Sequence, residues 1–237
     1  MIRAAAGDLS AIHVVVPWRG ADSGKSRLGG ALDAEERGAL VLGLLERTLT
    51  VLDAWSAVHQ VHLVTGDASA AALVRRARPT LNVLGEPRTG GLNEALGVAA
   101  AAAAASGATA VLILPADLPL LDVVALDGLL EAADAALAAG DGRSVVVIAP
   151  ADARGGTNAL LLSPVSVIEP QFGEASLEAH LRAAARADAS VQLVVEPALG
   201  FDLDTPEDLE RLDAPTLLAI EHLGAALLAS REPAEVA

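Results

Sequence analysis

One lysine stands among sixteen basic residues, the other fifteen being arginine. It is Lys25, in the run Trp18-Arg19-Gly20-Ala21-Asp22-Ser23-Gly24-Lys25-Ser26-Arg27-Leu28, directly after the apolar segment 12–17. An ammonium on a flexible stem suits a phosphate as a movable point charge, whereas a guanidinium offers a rigid fork. Biased use of basic residues that happened to spare one lysine is the alternative. Downstream, Leu114-Pro115-Ala116-Asp117-Leu118-Pro119 places a carboxylate at the end of another apolar run, between two prolines. Such a group can bind Mg²⁺ that bridges to a nucleotide phosphate. It can also receive turn N–H groups or cap the next helix, a task that Asp122 is placed to do. Near the end, Gly200-Phe201-Asp202-Leu203-Asp204-Thr205-Pro206 sends Asp202 and Asp204 to one side if the chain is extended. A divalent cation would relieve their repulsion. Thr205 reads as an N-cap, Pro206 as the first helical residue and Asp208 as the return arm of a capping box. That motif gives Asp204 a structural explanation and leaves Asp202 without one.

Three glycine-bearing loops are further candidates for anion binding. In Phe172-Gly173-Glu174-Ala175-Ser176 the glycine admits close backbone approach, and Ser176 stands at a helix start where N–H groups favour phosphate or carboxylate. Ser176 reads equally as a plain N-cap. Gly155-Gly156-Thr157-Asn158 is a hairpin-type turn signal, and Gly90-Gly91-Leu92-Asn93 is a turn followed by an Asn cap. Three of the four Trp and Phe rings, Trp18, Phe172 and Phe201, fall in these loops. His180, one helical turn after Ser176, reads as structural.

The elements that must carry these loops alternate in type. Apolar β-type runs are expected at 12–17, 61–65, 82–84, 110–114, 145–150, 159–162 and 191–195. Helical periodicity is expected at 35–54, 68–77, 93–105, 123–139, 177–187 and 206–212, with 217–228 as a last packing helix or an oligomer contact. Nearly continuous apolar strands joined by helices predict an α/β Rossmann-like sandwich with a mostly parallel central sheet. No linker or fixed-period repeat divides the 237 residues, so a single domain is expected. In such sheets ligands bind beyond the carboxyl ends of strands, where the Lys25 and Asp117 loops fall.

Composition narrows the partners. A formal charge of −15 would be repelled by nucleic acid and by an anionic membrane, so neither is expected. No cysteine means no disulfide, thiolate metal site or thiol nucleophile. The alanine run 99–105 is too short and too weakly apolar to span a bilayer, and the first residues hold no signal-peptide core. A cytoplasmic, soluble protein is the expectation.

Taken in order, these segments resemble the guanylyltransferases of deazaflavin (coenzyme F-420) biosynthesis. The resemblance runs over about 12–212, with a helical tail at 213–237, and rests on Pro17-Trp18-Arg19-Gly20 with Gly24 to Leu28, Gly91-Leu92-Asn93, Leu114 to Pro119, Gly156 to Leu160, Phe172-Gly173 with Ser176 and His180, and Gly200 to Pro206. It implies a nucleotidyltransferase fold of the GT-A-like kind. It also implies transfer of GMP from GTP to phosphoenolpyruvate or 2-phospho-L-lactate, with release of pyrophosphate. In that setting Asp117, Asp202 and Asp204 hold Mg²⁺, and Arg19, Lys25 and Arg27 neutralise charge on the pyrophosphate. Gly91, Asn93, Pro115 and Asp117 serve the nucleotide; Thr157, Gly173 and Ser176 hold the phosphorylated acid. Arg19 departs from the lysine common in the family, keeping the charge and changing its geometry. Three other readings are a P-loop NTPase, whose motif needs one more residue between Gly20 and Gly24, a sugar-phosphate or molybdopterin nucleotidyltransferase, and a nucleotide-sensing module without turnover.

Overall fold

A computed structural model describes residues 7–20, 25–86, 91–140, 144–152 and 155–229. Ala21 to Gly24 of the Lys25 loop, and Gly90, lie outside the described residues. The strands are β1 (Ile12–Pro17), β2 (Val58–Thr65), β3 (Asn82–Gly85), β4 (Ala110–Ile113), β5 (Val145–Pro150), β6 (Thr157–Ser163) and β7 (Ser190–Leu193). The helices are α1 (Ala34–Ala54), α2 (Ala68–Ala77), α3 (Gly91–Ala105), α4 (Val123–Ala139), α5 (Ser176–Arg186), α6 (Pro197–Gly200), α7 (Pro206–Arg211) and α8 (Ala214–Ala229). A 3₁₀ turn, Ser26–Gly30, precedes α1.

One seven-stranded sheet in the order β3-β2-β1-β4-β6-β5-β7 runs through the molecule. It is parallel except for β6, which lies antiparallel to both β4 and β5. Only residues 151–156 separate β5 from β6, too few for the crossover that a parallel pair needs, so the chain turns straight back. The central strand β1 shows why continuous apolar runs were required. Ile12, Val14 and Val16 enter one apolar cluster with α1, α2 and α4, while Val15 enters another with α3 and α5. Both sheet faces are therefore covered, as a Rossmann-like sandwich demands.

A third cluster joins Leu28, Leu40, Leu44, Phe201, Leu203, Leu212 and Ile220, beside the first. It brings the turn after Lys25, helix α1, the segment around Asp202 and helix α8 together. The C-terminal run is thus a packing helix against α1. A Cβ at Gly43 would strike the carbonyl oxygen of Ile220, and one at Gly224 would strike that of Ala39, so the two helices approach through these glycines. Strand β2 starts three residues before its expected position, because His59 and Gln60 break the apolar pattern at its partly exposed beginning. Among the described residues no helix is long and apolar enough to cross a membrane.

Candidate active site

Lys25 is held by its backbone before its side chain does anything. It sits in the left-handed region, with φ 56° and ψ 39°, and its carbonyl accepts the Leu28 N–H at 2.9 Å to open the 3₁₀ turn. Leu28 is fully buried in the third cluster, which anchors the turn. The ammonium then reaches Asp117 Oδ2 at 2.7 Å and Asp204 Oδ1 at 2.5 Å. Burial by itself would lower the lysine from its usual 10.5, but the two carboxylates outweigh it and the net shift is upward. Lys25 stays charged.

The carboxylates arrive from two strand-distant segments. Asp117 follows β4, and its carbonyl accepts the Leu203 N–H at 3.0 Å, tying the 201–204 segment to the β4 loop. Phe201 and Leu203 are buried, so the residues alternating with them, Asp202 and Asp204, are left half-buried at the polar side. Thr205 and Asp208 form the expected capping box at the start of α7, and Asp208 also accepts the Asp204 N–H at 3.0 Å. Burial first, then the charges of Asp117 and Asp204, hold the Asp202 carboxyl above its ordinary 3.8. The three aspartates do cluster electrostatically, yet the ammonium of Lys25 already lies between two of them. Among the described residues no group of three acidic or imidazole side chains is arranged to hold a metal ion.

A cavity of about 520 Å³ opens over this cluster. Arg19, Lys25, Arg27, Pro115, Asp117, Thr157, Gly173 and Asp204 line it, joined by Trp18, Asn158 and Phe172. A second cavity of about 450 Å³ meets it at Arg19 and Leu92, and Gly91 lines that one. Asn93, Ser176 and Asp202 line neither. Asn93 is the third residue of α3 and no cap; its amide donates to the Phe172 carbonyl at 2.9 Å and accepts the Phe172 N–H at 2.7 Å. Ser176 is the first residue of α5, buried, with its N–H given to the Gly173 carbonyl at 3.2 Å; Ala175 occupies the N-cap position.

A family model described as "Guanylyl transferase CofC like" matches residues 12–213. The chain belongs to this family. It is a nucleotidyltransferase that moves a guanylyl group. The phosphoenolpyruvate guanylyltransferase of Rubrobacter xylanophilus is 41% identical over 204 residues, covering 86% of this chain and 94% of that protein. The 3-phospho-D-glycerate guanylyltransferase of Phenylobacterium zucineum is 39% identical over 206 residues, covering 83% and 87%. Among solved structures, one from Desulfovibrio desulfuricans assigned to the nucleotide-diphospho-sugar transferases matches with a TM-score of 0.71 at 18% identity, over 94% of this chain and 97% of that one. A 4-diphosphocytidyl-2C-methyl-D-erythritol synthase matches with a TM-score of 0.57 at 16% identity, over 90% and 98%. These structures share the fold.

Two supports of the loops around this cavity were not legible as such. Asn158 donates to the carbonyls of Leu199 and Gly200 at 2.9 and 3.0 Å, fastening the chain just before Asp202. His180 is fully buried, and burial pushes its pKa down to about 4, so the ring is neutral. The Gln171 N–H donates to its Nε2 at 2.9 Å, which leaves the ring proton on Nδ1, 3.0 Å from Thr157 Oγ1. Thr157 therefore accepts from His180 and keeps its own hydroxyl proton for the cavity. A histidine one turn after a helix start was the available signal, and its partner lies on β6, which spacing cannot reveal.

Proposed function

We propose that this guanylyltransferase joins GMP from GTP to the phosphate of phosphoenolpyruvate, releasing pyrophosphate, in coenzyme F-420 biosynthesis. The similarity to the Rubrobacter xylanophilus enzyme supports that acceptor. The observation that carries the reading is the Lys25 ammonium between Asp117 and Asp204, in a cavity that continues to Thr157 and Gly173. A phosphate oxygen of the acceptor attacks the α-phosphorus of GTP. The bond from that phosphorus to the bridging oxygen breaks, and pyrophosphate leaves with the electron pair. The attacking phosphate is already ionised, so the protein must position and neutralise rather than deprotonate. Arg19, Lys25 and Arg27 face the triphosphate. Thr157 donates a hydrogen bond from its hydroxyl to the acid and Gly173 lends its backbone, while Ser176 and Asn93 hold the turn between them. Gly91 and Pro115 bound the nucleotide.

Asp117, Asp202 and Asp204 offer hard oxygen donors that suit Mg²⁺ in kind. Lys25 occupies the space between two of them, so they fit the ion once the ammonium transfers to the phosphates. Mg²⁺ held there supplies charge neutralisation for the triphosphate. The chain works as one nucleotidyltransferase domain in the cytoplasm, a reading its acidic, cysteine-free composition favours.

The likeness to the Phenylobacterium zucineum protein favours a second acceptor, 3-phospho-D-glycerate. Pyrophosphate release from GTP with phosphoenolpyruvate, 2-phospho-L-lactate or 3-phospho-D-glycerate decides between them. Phosphoenolpyruvate is expected to give the highest kcat/KM. Faster turnover with either other acid reassigns the acceptor, and no release with any of them removes the proposal.

A further inference from the structure

We propose that the second cavity seats the guanine base and that Glu86 is the residue that selects it. This rests on the guanylyltransferase reading of the larger cavity. The sheet order puts β3, β2 and β1 on one side of the site and β4, β6 and β5 on the other. The larger cavity runs from the β1 loop to residues after β4 and on β6; the second lies beyond the ends of β2 and β3, where Gly66, Asp67 and Glu86 stand. A nucleotide whose phosphates meet Lys25 and whose acceptor lies at Thr157 has its base to place. The second cavity adjoins that space past Arg19 and Leu92.

Its lining suits a flat, donor-bearing ring. Gly66 and Gly91 leave room, and Leu92 offers an apolar surface. A Cβ added at Gly66 would come within 3.0 Å of Glu86 Oε2, so a larger residue there would cover that carboxylate. Of the four carboxylates lining the two cavities, Asp117 and Asp204 hold Lys25. Asp67 accepts the Ala70 N–H at 2.9 Å as the cap of α2 and packs against Gly20, where a Cβ would collide with it. Glu86 is fixed by its backbone N–H to the Thr65 carbonyl at 3.0 Å, while its carboxylate has no hydrogen-bond or ion partner among the described residues. Guanine presents N1–H and the 2-amino group side by side, two donors that match two carboxylate oxygens. Adenine turns an acceptor at N1 toward the same group, and a site built for donors rejects it strongly.

The test compares the parent, Glu86→Gln and Glu86→Ala with GTP, dGTP, ITP and ATP. Nucleotide binding is measured without acceptor, and pyrophosphate release with it. The parent should prefer GTP to ITP, which lacks the 2-amino donor, and ITP to ATP. Losing charge-assisted hydrogen bonds should lower kcat/KM for GTP and dGTP by about 10- to 100-fold, with a smaller loss for ITP and none for ATP. Melting temperature should not change, because the carboxylate has no partner to lose. Parental selectivity in both variants overturns the assignment. So does an equal loss with GTP, ITP and ATP that spares dGTP, since Glu86 would then hold the ribose. If no phosphorylated acid supports turnover while the parent still binds GTP over ATP and the variants do not, the acceptor reading fails and this one stands.

Discussion

At the residue scale the charges around Lys25 link the proposed catalysis to stability. Asp202 has its carboxyl raised by burial and by the charges of Asp117 and Asp204, so its ionised form is disfavoured in the fold. Asp204 instead grips Lys25. Asp202→Asn should therefore melt no lower than the parent and turn over far more slowly. Asp204→Asn should lose activity and melt lower, because removing one partner strips compensation from a buried ammonium. Thermal melts with pyrophosphate assays separate the two; an Asp202→Asn protein at parental activity sinks the role given to that carboxylate. Lys25 also carries backbone strain of roughly 1–2 kcal/mol at its positive φ, kept where a charge must be aimed.

At the element scale, α8 matters because it braces α1, whose Val41 and Leu44 line the larger cavity. The brace depends on bare backbone at Gly43 and Gly224. Gly224→Ala should force the helices apart and cost about 1–3 kcal/mol, as overpacking commonly does. Gly128, in α4, has nothing within 4 Å of an added Cβ, so Gly128→Ala should gain roughly 0.4–1 kcal/mol. Urea melts of both variants provide the check, and equal effects would mean that the α1–α8 contact is looser than described.

Over the whole molecule, buried histidines set how stability depends on pH. His62 is fully buried beside His13; burial first and the His13 charge second lower it to about 4, and burial lowers His180 to about 4. In the unfolded chain both return toward 6.5, so between these values the unfolded state binds more protons. Stability is then fully present above pH 6.5 and is lost as pH falls toward about 4. Asp202, with its pKa raised, acts in the opposite sense near the carboxylate range. Melting temperature should fall between pH 7 and 4.5, with a shallower slope in His62→Gln. An unchanged slope in that variant would remove His62 from the account.

The alternating layers, the strand β1, the caps at Asp122 and Thr205 and the loops holding most of the cavity lining were legible in the sequence, because period, turn chemistry and capping are local properties. The reversal of β6 was half legible, as a glycine turn too short for a crossover. What local pattern could not show was which distant groups would meet. Lys25 lies 92 residues from Asp117 and 179 from Asp204, and the ammonium settles between them only because Leu28, Leu203 and Ile220 share one apolar cluster. Asn93 read as a cap, yet its amide is spent on the Phe172 backbone, and Ser176, read as an N-cap, is the first residue of α5 with its N–H given to the Gly173 carbonyl. The sequence by itself determined the sandwich and the chemical inventory of its loops. The tertiary structure decided the pairing of charges, since Coulomb attraction and burial depend on distances that chain order does not contain.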